Sequence, residues 1–568
     1  MPVNHKKILR RTAFTIGAVT IILTGLWMLF QWKTEVRPPS PDDWSCLKLQ
    51  VNTTVPGIRS IGKNWLKKSK TGLWEMYVEG KPFDRGVING KLSGELIYIQ
   101  EKAFVDRIRE MIPSQSYLKF LKYFIYWFNR NLDQYMPEEY KLEIFGISFS
   151  ASDEFSFIGS NYQRMLNYHS AHDVGHALQE LSLVGCSSFG AWGSMTPDSS
   201  LVIGRNFDFY AGDDFAENKL ICFEKPDSGY PFMMVTWAGM IGTVSGMNDQ
   251  GLTVTINAAK SDIPYSARTP ISIVAREILQ YAGTISEAYA IACKRETFVS
   301  ESLLIGSAKD NKAAIIEKKP FRLTLVNPTG DMILCTNHFQ SETFGLEQQN
   351  VENKRDHASG YRYMRLSQLV SEQSPLSPEK VAVILRDQMG LNRKQIGMGN
   401  EKAMNQLIAH HSLIFQPKQR LVWVSTGPWQ LGPYVCYDLR KIFRNFAVQQ
   451  QRVEITEPDR IIPADSFLGS ENYLRFLRFK NMRSLITQKL KSVDNNKLTS
   501  SFIHDFENSN PDYYETYSLI GNYYFQKRDW KTARKYFYRA LTKEIPRWDE
   551  KLKIIRKLAD CNIRTKTN

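Results

Sequence analysis

The sequence predicts an α/β protein in which two β-sheets are covered by helices on both outer faces, a four-layer αββα sandwich. Two observations predict this class. Within residues 71–460, short apolar runs typical of strands occur in series, and segments with apolar residues at helical spacing interrupt them. A long apolar stretch before this region predicts a transmembrane helix, and an aromatic, basic region after it predicts a C-terminal helical tail.

Composition and charge limit the class of protein. The 568 residues are 43% hydrophobic and 23% charged, which fits a folded chain with a sizeable core and excludes a largely disordered one. Seven cysteines without a C-x-x-C pair exclude a small disulfide scaffold and argue against a zinc ribbon. The net charge of +15 favours acidic surfaces such as anionic lipid or nucleic acid. Because no recognised nucleic-acid-binding motif is present, nucleic acid is not expected as a partner.

The N-terminus predicts a single membrane anchor. A basic segment at 6–11 precedes a charge-free apolar run at 13–32, and about 20 such residues suffice for a helix to cross a hydrocarbon core of ~30 Å. We expect residues 1–12 to remain in the cytoplasm and the rest of the chain to be exported. A cleaved signal peptide is the alternative, but its apolar core would be shorter and followed by small residues.

Residues 33–70 are predicted to be a linker between the anchor and the folded region. Three prolines stiffen its first part. Near its end, Lys67, Lys68 and Lys70 are interpreted as a solvated charged turn.

Predicted helices and strands follow one another through residues 71–460. Helices are expected at 96–111, 117–128, 271–281 and 288–293. Thr284 and Glu287 form a capping box before the last of these. Strands are expected at 186–192, 201–207, 233–237, 252–257, 303–307, 313–317 and 333–336. The first two strands flank a turn that contains Pro197 and Asp198, so they predict a hairpin.

The C-terminal region is predicted to be helical, with a linker or helical segment at 461–510 and a helical hairpin at 511–568. Its small and large residues fall close to the spacing of a tetratricopeptide repeat: Leu519, Gly521, Tyr524, Ala533, Phe537, Ala540, Leu541 and Pro546. Only one repeat is visible, whereas a solenoid needs about three. The hairpin is therefore expected to pack on its neighbours, and an ordinary helical tail is an equal alternative.

The densest chemical signal is Gly185-Cys186, at the start of the predicted hairpin. Pairing of its strands would bring Arg205 and Asp208 back beside Cys186. A neighbouring cation lowers the pKa of a thiol and favours the nucleophilic thiolate. Residues three apart on a regular strand point to opposite faces, so Arg205 and Asp208 both reach the thiol only if the strand ends or bulges between them. The alternative is that Cys186 is a small core hydrophobe.

Five segments of the chain form a wider motif pattern. They are 79–90, C-S-S-F at 186–189, G-R-N-F-D at 204–208, G-M-N-D-Q-G-L at 246–252 and T-N-H-F at 336–339. Together they resemble the N-terminal-nucleophile cysteine hydrolases, most closely the acyl-CoA:isopenicillin N acyltransferase-like branch, which is related to acid ceramidase and bile salt hydrolase. The resemblance extends over residues 71–439 and implies the same four-layer fold.

The resemblance also implies a mechanism. The precursor would cut itself between Gly185 and Cys186, and the new α-amine of Cys186, with an ordinary pKa of about 7.7–8.0, would act as the base for its own thiol. The thiolate would attack an acyl carbonyl and form a thioester that water or an amine resolves.

The resemblance assigns roles to the other residues of the pattern. Arg205 and Asp208 would position the amine and the substrate, and the side-chain amide of Asn337 would stabilise the oxyanion. Asn248 is a second candidate for that oxyanion hole, and Arg362 is a further arginine of the site. Structural alternatives remain: Asn248 suits a turn, Asn337 ends a strand, and Arg362 suits a helix surface.

No metal and no cofactor are expected. His172 and His176 are four residues apart, as on one face of a helix, but no Glu follows the first and no third ligand is evident. Structural histidines are therefore favoured.

The sequence thus predicts a membrane-anchored, self-processing cysteine amidohydrolase or acyltransferase. Its expected substrate is a fatty-acyl amide or an acyl-CoA-like compound, and hydrolysis and transfer share the thioester. The alternative is an inactive, membrane-tethered adaptor that binds a protein partner through its C-terminal helices.

Overall fold

A computed structural model describes residues 5–112, 114–178, 185–209, 212, 216–260, 264–444, 454–491 and 498–565. The α-helices of this part of the chain are α1 His5–Thr34, α2 Pro82–Met111, α3 Gln115–Phe128, α4 Leu132–Tyr135, α5 Glu138–Ser148, α6 Asn161–Leu178, α7 Ile271–Tyr281, α8 Ile285–Lys294, α9 Gln348–Asp356, α10 Ala358–Gln373, α11 Pro378–Leu385, α12 Leu439–Arg444, α13 Glu471–Lys491, α14 Ser500–Ser509, α15 Tyr514–Gln526, α16 Trp530–Leu541 and α17 Trp548–Arg564.

The β-strands are β1 Ile58–Ile61, β2 Asn64–Lys68, β3 Trp74–Gly80, β4 Ser187–Gly193, β5 Ser199–Phe207, β6 Leu220–Pro226, β7 Phe232–Thr236, β8 Ser245–Asn248, β9 Leu252–Ala258, β10 Glu301–Ser307, β11 Lys312–Lys318, β12 Leu323–Val326, β13 Met332–Cys335, β14 His411–Gln416, β15 Leu421–Ser425 and β16 Tyr434–Asp438.

These strands form two sheets. One has ten strands in the order β1-β2-β3-β6-β7-β8-β9-β10-β11-β12, and the other has six in the order β13-β4-β5-β14-β15-β16. Neighbouring strands are antiparallel, with the exception of β3 and β6, which pair in parallel over residues 74–80 and 220–226. The connection between β3 and β6 carries helices α2–α6 and the β4–β5 hairpin of the other sheet.

Three apolar clusters hold the sheets and helices together. One joins the two sheets, with Tyr77, Phe223 and Val235 from the ten-stranded sheet and Ile203, Phe415 and Val424 from the six-stranded sheet. A second joins the ten-stranded sheet to α2, α5, α6, α7 and α8, and a third joins the six-stranded sheet to α10 and α11. The mixed α/β class predicted from the sequence is confirmed.

Most predicted elements of the α/β region have counterparts in the structure. The hairpin forms between β4 and β5, and the capping box of Thr284 and Glu287 begins α8. The helix predicted at 96–111 is longer than expected, because α2 begins at Pro82, a residue that fits the first turn of a helix.

The predicted linker boundary at residue 70 is wrong, because β1 and β2 lie before it and belong to the ten-stranded sheet. The interpretation of Lys67 as part of a solvated turn is wrong for the same reason. Lys67 is only 1% exposed, and its ammonium lies 4.4 Å from the ring centroid of Trp65. Burial lowers the pKa of Lys67 and raises that of Glu75, while attraction between the two charges opposes both shifts.

The N-terminal helix α1 has the length and composition of a membrane span. Within Leu9–Thr34, an 18-residue window has a mean hydropathy of 2.0 and is not buried against the protein, although a signal sequence would meet the same criteria. Near its C-terminal end it contacts α3, where Trp27 meets Tyr123 edge-on at 5.3 Å and Phe30 stacks on Trp127 at 6.1 Å.

The C-terminal region contains five helices, α13–α17, that share one apolar cluster with Leu407, Trp429 and Leu431 of the α/β region. Two of these helices, α13 and α14, occupy the segment predicted as a linker or helix, and three helices rather than two lie within the described part of 511–568. The spacing of small residues has a packing reason: a Cβ at Gly521 would lie 2.7 Å from the ring of Phe537.

Helices α2 and α5 pack very closely at a glycine. A Cβ at Gly86 would lie 2.0 Å from the carbonyl oxygen of Glu143, so no larger residue fits there without separating the helices. A Cβ at Gly94, two turns further along α2, would meet its nearest neighbour at an ordinary 3.8 Å.

We predict that Gly86→Ala destabilises the protein by about 1–3 kcal/mol, because overpacking forces the two helices apart. Thermal unfolding followed by circular dichroism measures the effect. Gly94→Ala is the matched control, because it adds the same methyl group to the same helix and is expected to be neutral or slightly stabilising. Equal melting temperatures for the two variants would contradict the close packing.

Candidate active site

Cys186 lies immediately before β4, at the open end of the β4–β5 hairpin. Ser188 pairs with Arg205, and the Gly185 amide donates a hydrogen bond of 2.9 Å to the carbonyl oxygen of Asp208. Strand β5 ends at Phe207, so Asp208 lies beyond the regular strand. The charges of both Arg205 and Asp208 therefore act on the Cys186 thiol, as the hairpin predicted.

The thiol of Cys186 is deeply buried in the intact chain. The residue is 1% exposed, and burial raises its pKa to about 11. Attraction to Arg205 opposes the shift, whereas the carboxyl groups of Asp208 and Glu301 add to it. At neutral pH the thiol is consequently protonated.

Side chains from distant segments hold the carbonyl groups on both sides of the Gly185–Cys186 bond. Gln406 donates from Nε2 to the Gly185 carbonyl oxygen at 2.8 Å. Arg362 donates from Nη1 to the Cys186 carbonyl oxygen at 2.7 Å and to Ser187 Oγ at 2.8 Å. A Cβ at residue 185 would lie 2.4 Å from the Gln406 side chain, so this close approach requires glycine.

Arg362 also orients Asn337. It donates from Nη2 to Asn337 Oδ1 at 2.7 Å, and Asn337 Nδ2 donates to the Ala258 carbonyl oxygen at 2.9 Å. The backbone N–H of Asn337 donates to Ser359 Oγ at 2.8 Å. Arg362 is 2% exposed and lies on the inner face of α10, which excludes the alternative of a charge on the helix surface.

The two carboxylate oxygens of Asp208 differ in their hydrogen bonding. Oδ2 accepts a hydrogen bond of 3.2 Å from Gln406 Nε2, and Oδ1 is buried without a hydrogen-bond partner among the described residues. Burial raises the pKa of Asp208 to about 7, against the attraction of Arg362 and Arg205. The carboxyl group can therefore gain or lose a proton near neutral pH.

Asn257 belongs to this cluster, although sequence reasoning missed it. Its Oδ1 accepts hydrogen bonds from Ser188 Oγ at 2.8 Å and from Arg205 Nη1 at 2.9 Å. Its Nδ2 makes only a long hydrogen bond of 3.4 Å to the Cys335 carbonyl oxygen. The available sequence signal is an asparagine at the end of the predicted strand 252–257, and the structure buries its side chain fully.

Asn248 does not join the cluster. It lies in the turn between β8 and β9, at the opposite end of β9 from Asn257. Its Nδ2 donates to the carbonyl oxygens of Leu279 and Ala282 at 2.9 and 2.7 Å, and its Oδ1 accepts from two backbone amides of the turn. These contacts favour the structural alternative, in which Asn248 fixes the turn against α7.

The described residues contain no group of three His, Cys, Asp or Glu side chains that could hold a metal ion. His172 and His176 lie on α6, but their side chains are outside the described part of the chain. All seven cysteines are free thiols.

Comparison with known proteins shows that residues 194–428 match a protein family. They match the family model of acyl-coenzyme A:6-aminopenicillanic acid acyl-transferase. Two curated relatives are an uncharacterised protein of Archaeoglobus fulgidus, 25% identical over 268 residues, and protein dcd1B of Dictyostelium discoideum, 23% identical over 261 residues. The aligned region covers 43% of this chain in both cases. It covers 43% and 49% of the two relatives, so the chain spans less than half of their length.

Two solved structures are also similar. They are the Caenorhabditis elegans ortholog of N-acylethanolamine-hydrolyzing acid amidase (16% identity, covering 41% of this chain and 93% of that one) and a variant of conjugated bile acid hydrolase from Clostridium perfringens (13% identity, covering 45% and 93%). Both have a TM-score of 0.30. The family match confirms, for residues 194–428, the resemblance to the N-terminal-nucleophile hydrolases of the acyltransferase branch.

Proposed function

We propose that this protein is a self-processing cysteine amidohydrolase or acyltransferase of the N-terminal-nucleophile type. The observation that carries the proposal is the Gly185–Cys186 peptide, whose two carbonyl groups accept hydrogen bonds from Gln406 and Arg362 inside a buried polar cluster. An ordinary core cysteine needs no such arrangement, because a thiol packs well among apolar neighbours without polar contacts.

Self-cleavage begins with attack of Cys186 Sγ on the Gly185 carbonyl carbon. Gln406 stabilises the negative charge that develops on the Gly185 oxygen, since its Nε2 already donates to that atom. The C–N bond breaks, the departing nitrogen takes the thiol proton, and Gly185 becomes a thioester of Cys186. Water then hydrolyses the thioester, which leaves a carboxylate on Gly185 and a free α-amine and thiol on Cys186.

The liberated α-amine serves as the base in turnover. Asp208 Oδ1, which is buried and without a partner among the described residues, is suited to accept a hydrogen bond from this amine. Arg205 lies opposite Ser188 and favours the thiolate by charge. The charge of Arg205 thereby opposes the burial that keeps the thiol neutral in the intact chain.

Asn337 and Asn257 are the proposed donors to the oxyanion of the acyl-transfer step. Both are buried amides beside the strand that follows Cys186, and Arg362 and Arg205 fix their oxygen atoms, so that their NH₂ groups point away from the guanidinium groups. Asn248 has no catalytic part in this proposal, because its amide is fully engaged in the turn.

The proposed substrate is a fatty-acyl amide or a related acyl compound. Phe104, Phe209 and Trp237 line an apolar cavity that suits an acyl chain. Phe209 is the residue that follows Asp208 in the sequence. The apolar helix α1 supports anchoring in a membrane, where such substrates reside. Export of the region after α1 follows from the basic segment before it.

The finer architecture belongs to the same proposal. The contacts of the three apolar clusters support a four-layer αββα arrangement, with helices outside two facing sheets. The catalytic domain would begin at β1, near residue 58, because β1 and β2 belong to the ten-stranded sheet. It would extend to about residue 460. The packing of Gly521 on Phe537 supports a tetratricopeptide-like pair formed by α15 and α16.

Wild-type protein is predicted to give two fragments on a denaturing gel, and the downstream fragment to begin with Cys186 on N-terminal sequencing. Cys186→Ala removes the nucleophile and should give a single full-length band. Cys222→Ala, which removes another buried thiol, should cleave like the wild type. Wild-type protein that stays intact under all conditions would instead favour the adaptor alternative.

Substitutions of Asn337, Asn257 and Asn248 are predicted to differ in their effect on the rate of acyl-thioester formation. Asn337→Ala and Asn257→Ala should each slow formation of the acyl-thioester on Cys186 by on the order of 10²–10³, because each removes an oxyanion donor. The measurement is intact-mass spectrometry after rapid mixing with an activated acyl substrate. Asn248→Ala should leave this rate unchanged and lower the melting temperature. If Asn248→Ala slowed the reaction as much as Asn337→Ala, Asn248 would have to be assigned a role in the active site.

Protease added outside intact spheroplasts is predicted to digest the region after α1, because the basic segment 6–11 should keep only the N-terminus inside. Immunoblotting with antibodies to the C-terminal helices measures the digestion. Detergent-lysed spheroplasts are the control, because they show whether the protease can cut this region when no membrane protects it. Protection in intact spheroplasts together with digestion after lysis would reverse the topology.

A further inference from the structure

Gln406, the donor to the Gly185 carbonyl oxygen, lies in the long connection between α11 and β14. We call this segment, residues 386–410, the Gln406 loop. Apart from one turn of 3-10 helix at Leu391–Arg393, its backbone is irregular, and loops of this length are uncommon in compact domains and usually functional. Gln406 is nevertheless only 2% exposed. Its position therefore depends on contacts that other parts of the fold make with the loop.

Asn206 on β5 holds the Gln406 loop against the six-stranded sheet. Its Nδ2 donates to the carbonyl oxygens of Leu385 and Met404 at 2.8 and 2.9 Å. Its Oδ1 accepts a hydrogen bond of 2.6 Å from Ser412 Oγ. Both amide hydrogens and the amide oxygen are thus in use, and Met404 lies only two residues before Gln406. The buried amide joins the end of α11, the loop and β14.

The C-terminal helices contact the backbone of the same loop. Asn510, which follows α14, accepts a hydrogen bond of 3.1 Å from the Met398 amide and donates one of 2.9 Å to the Met398 carbonyl oxygen. The loop also approaches Tyr513 closely, because a Cβ at Gly397 would lie 2.5 Å from that residue. Leu407 of the loop belongs to the apolar cluster of these helices.

A further contact between the C-terminal helices and the loop is ionic. Glu544, in the connection between α16 and α17, pairs with Lys394 at 2.9 Å and with Lys402 at 2.7 Å. Its backbone carbonyl oxygen accepts a hydrogen bond of 3.0 Å from Asn400 Nδ2. One residue of the C-terminal region thus binds three residues of the loop.

We propose that the C-terminal helices take part in self-cleavage: together with Asn206, they position the Gln406 loop so that Gln406 Nε2 meets the Gly185 carbonyl oxygen. This inference rests on the proposed function, in which Cys186 Sγ attacks that carbonyl group. Gln406 touches the reacting group, whereas the residues that hold its loop are positioning residues. The C-terminal helices thereby have a function within the enzyme itself, rather than in binding a separate protein.

The test follows self-cleavage of the full chain during cell-free synthesis in detergent, with precursor and fragments separated on denaturing gels. Gln406→Ala should slow cleavage by on the order of 10²–10³, because it removes the oxyanion donor. Glu544→Ala and Asn206→Ala should each slow it about tenfold, because a small displacement of Gln406 weakens that donor. When combined with Gln406→Ala, neither should slow cleavage further, since residues that act through one partner are not additive.

Each loop-holding variant has a matched control. Asn248→Ala is the control for Asn206→Ala, because Asn248 is also buried and also donates to two backbone carbonyl oxygens, which lie outside the Gln406 loop. Glu507→Ala is the control for Glu544→Ala, because Glu507 pairs with Arg539 at 2.9 Å within the C-terminal helices. Both controls should cleave at the wild-type rate. Melting temperatures identify any variant that has not folded, and Glu544→Ala is expected to fold because its side chain is 22% exposed.

Three results would overturn the inference: wild-type cleavage in folded Glu544→Ala, additive effects of the loop-holding variants with Gln406→Ala, or equal slowing in a control. Failure of the inference is distinguishable from failure of the proposed function. A wild type that cleaves while the loop-holding variants behave like their controls refutes the inference alone. A wild type that never cleaves refutes the proposed function, and the inference with it.

Discussion

The arrangement around the candidate site depends on one buried cation, the Arg362 guanidinium. It joins the Cys186 carbonyl, Ser187 Oγ and Asn337 Oδ1, and its charge acts on Asp208. A buried guanidinium is tolerated only when surrounding acceptors replace its hydration, and those acceptors are here the groups that the proposed chemistry uses. The same contacts that compensate the charge therefore fix the main chain at Cys186, the proposed nucleophile, and the side chain of Asn337, a proposed oxyanion donor.

The part of this site that the sequence predicted is the part that local geometry determines. Once β4 and β5 form a hairpin, their register brings Arg205 to Ser188 and Asp208 to Gly185, so short-range pattern is sufficient. Asn257 and Gln406 could not be found in this way. Their contacts with Ser188 and Gly185 cross between the two sheets or come from a loop more than 200 residues away, and no periodicity encodes such pairings.

The domain boundaries were mispredicted for a related reason. Three of the five residues of strand β2 are basic or polar, a composition typical of a loop. In the folded sheet Lys67 is nevertheless buried, with its ammonium over the Trp65 ring and its charge attracted by Glu75. Helix α13 likewise lacks a clear apolar face, and it packs by sharing a cluster with Trp429 and Leu431. In both places the folded structure supplies burial that the local sequence pattern does not predict.

The parallel pairing of β3 with β6 would hold the chain together after the proposed self-cleavage. Strand β3 lies before Cys186 and β6 lies after it, so the two would belong to different polypeptides once the chain is cut. Seven residue pairs of main-chain contact, together with the apolar cluster between the sheets, would bridge the break. The portion that bears the nucleophile would thus stay attached to the portion that holds α1, and the two halves would act as a non-covalent heterodimer that remains tethered at the bilayer without a continuous backbone.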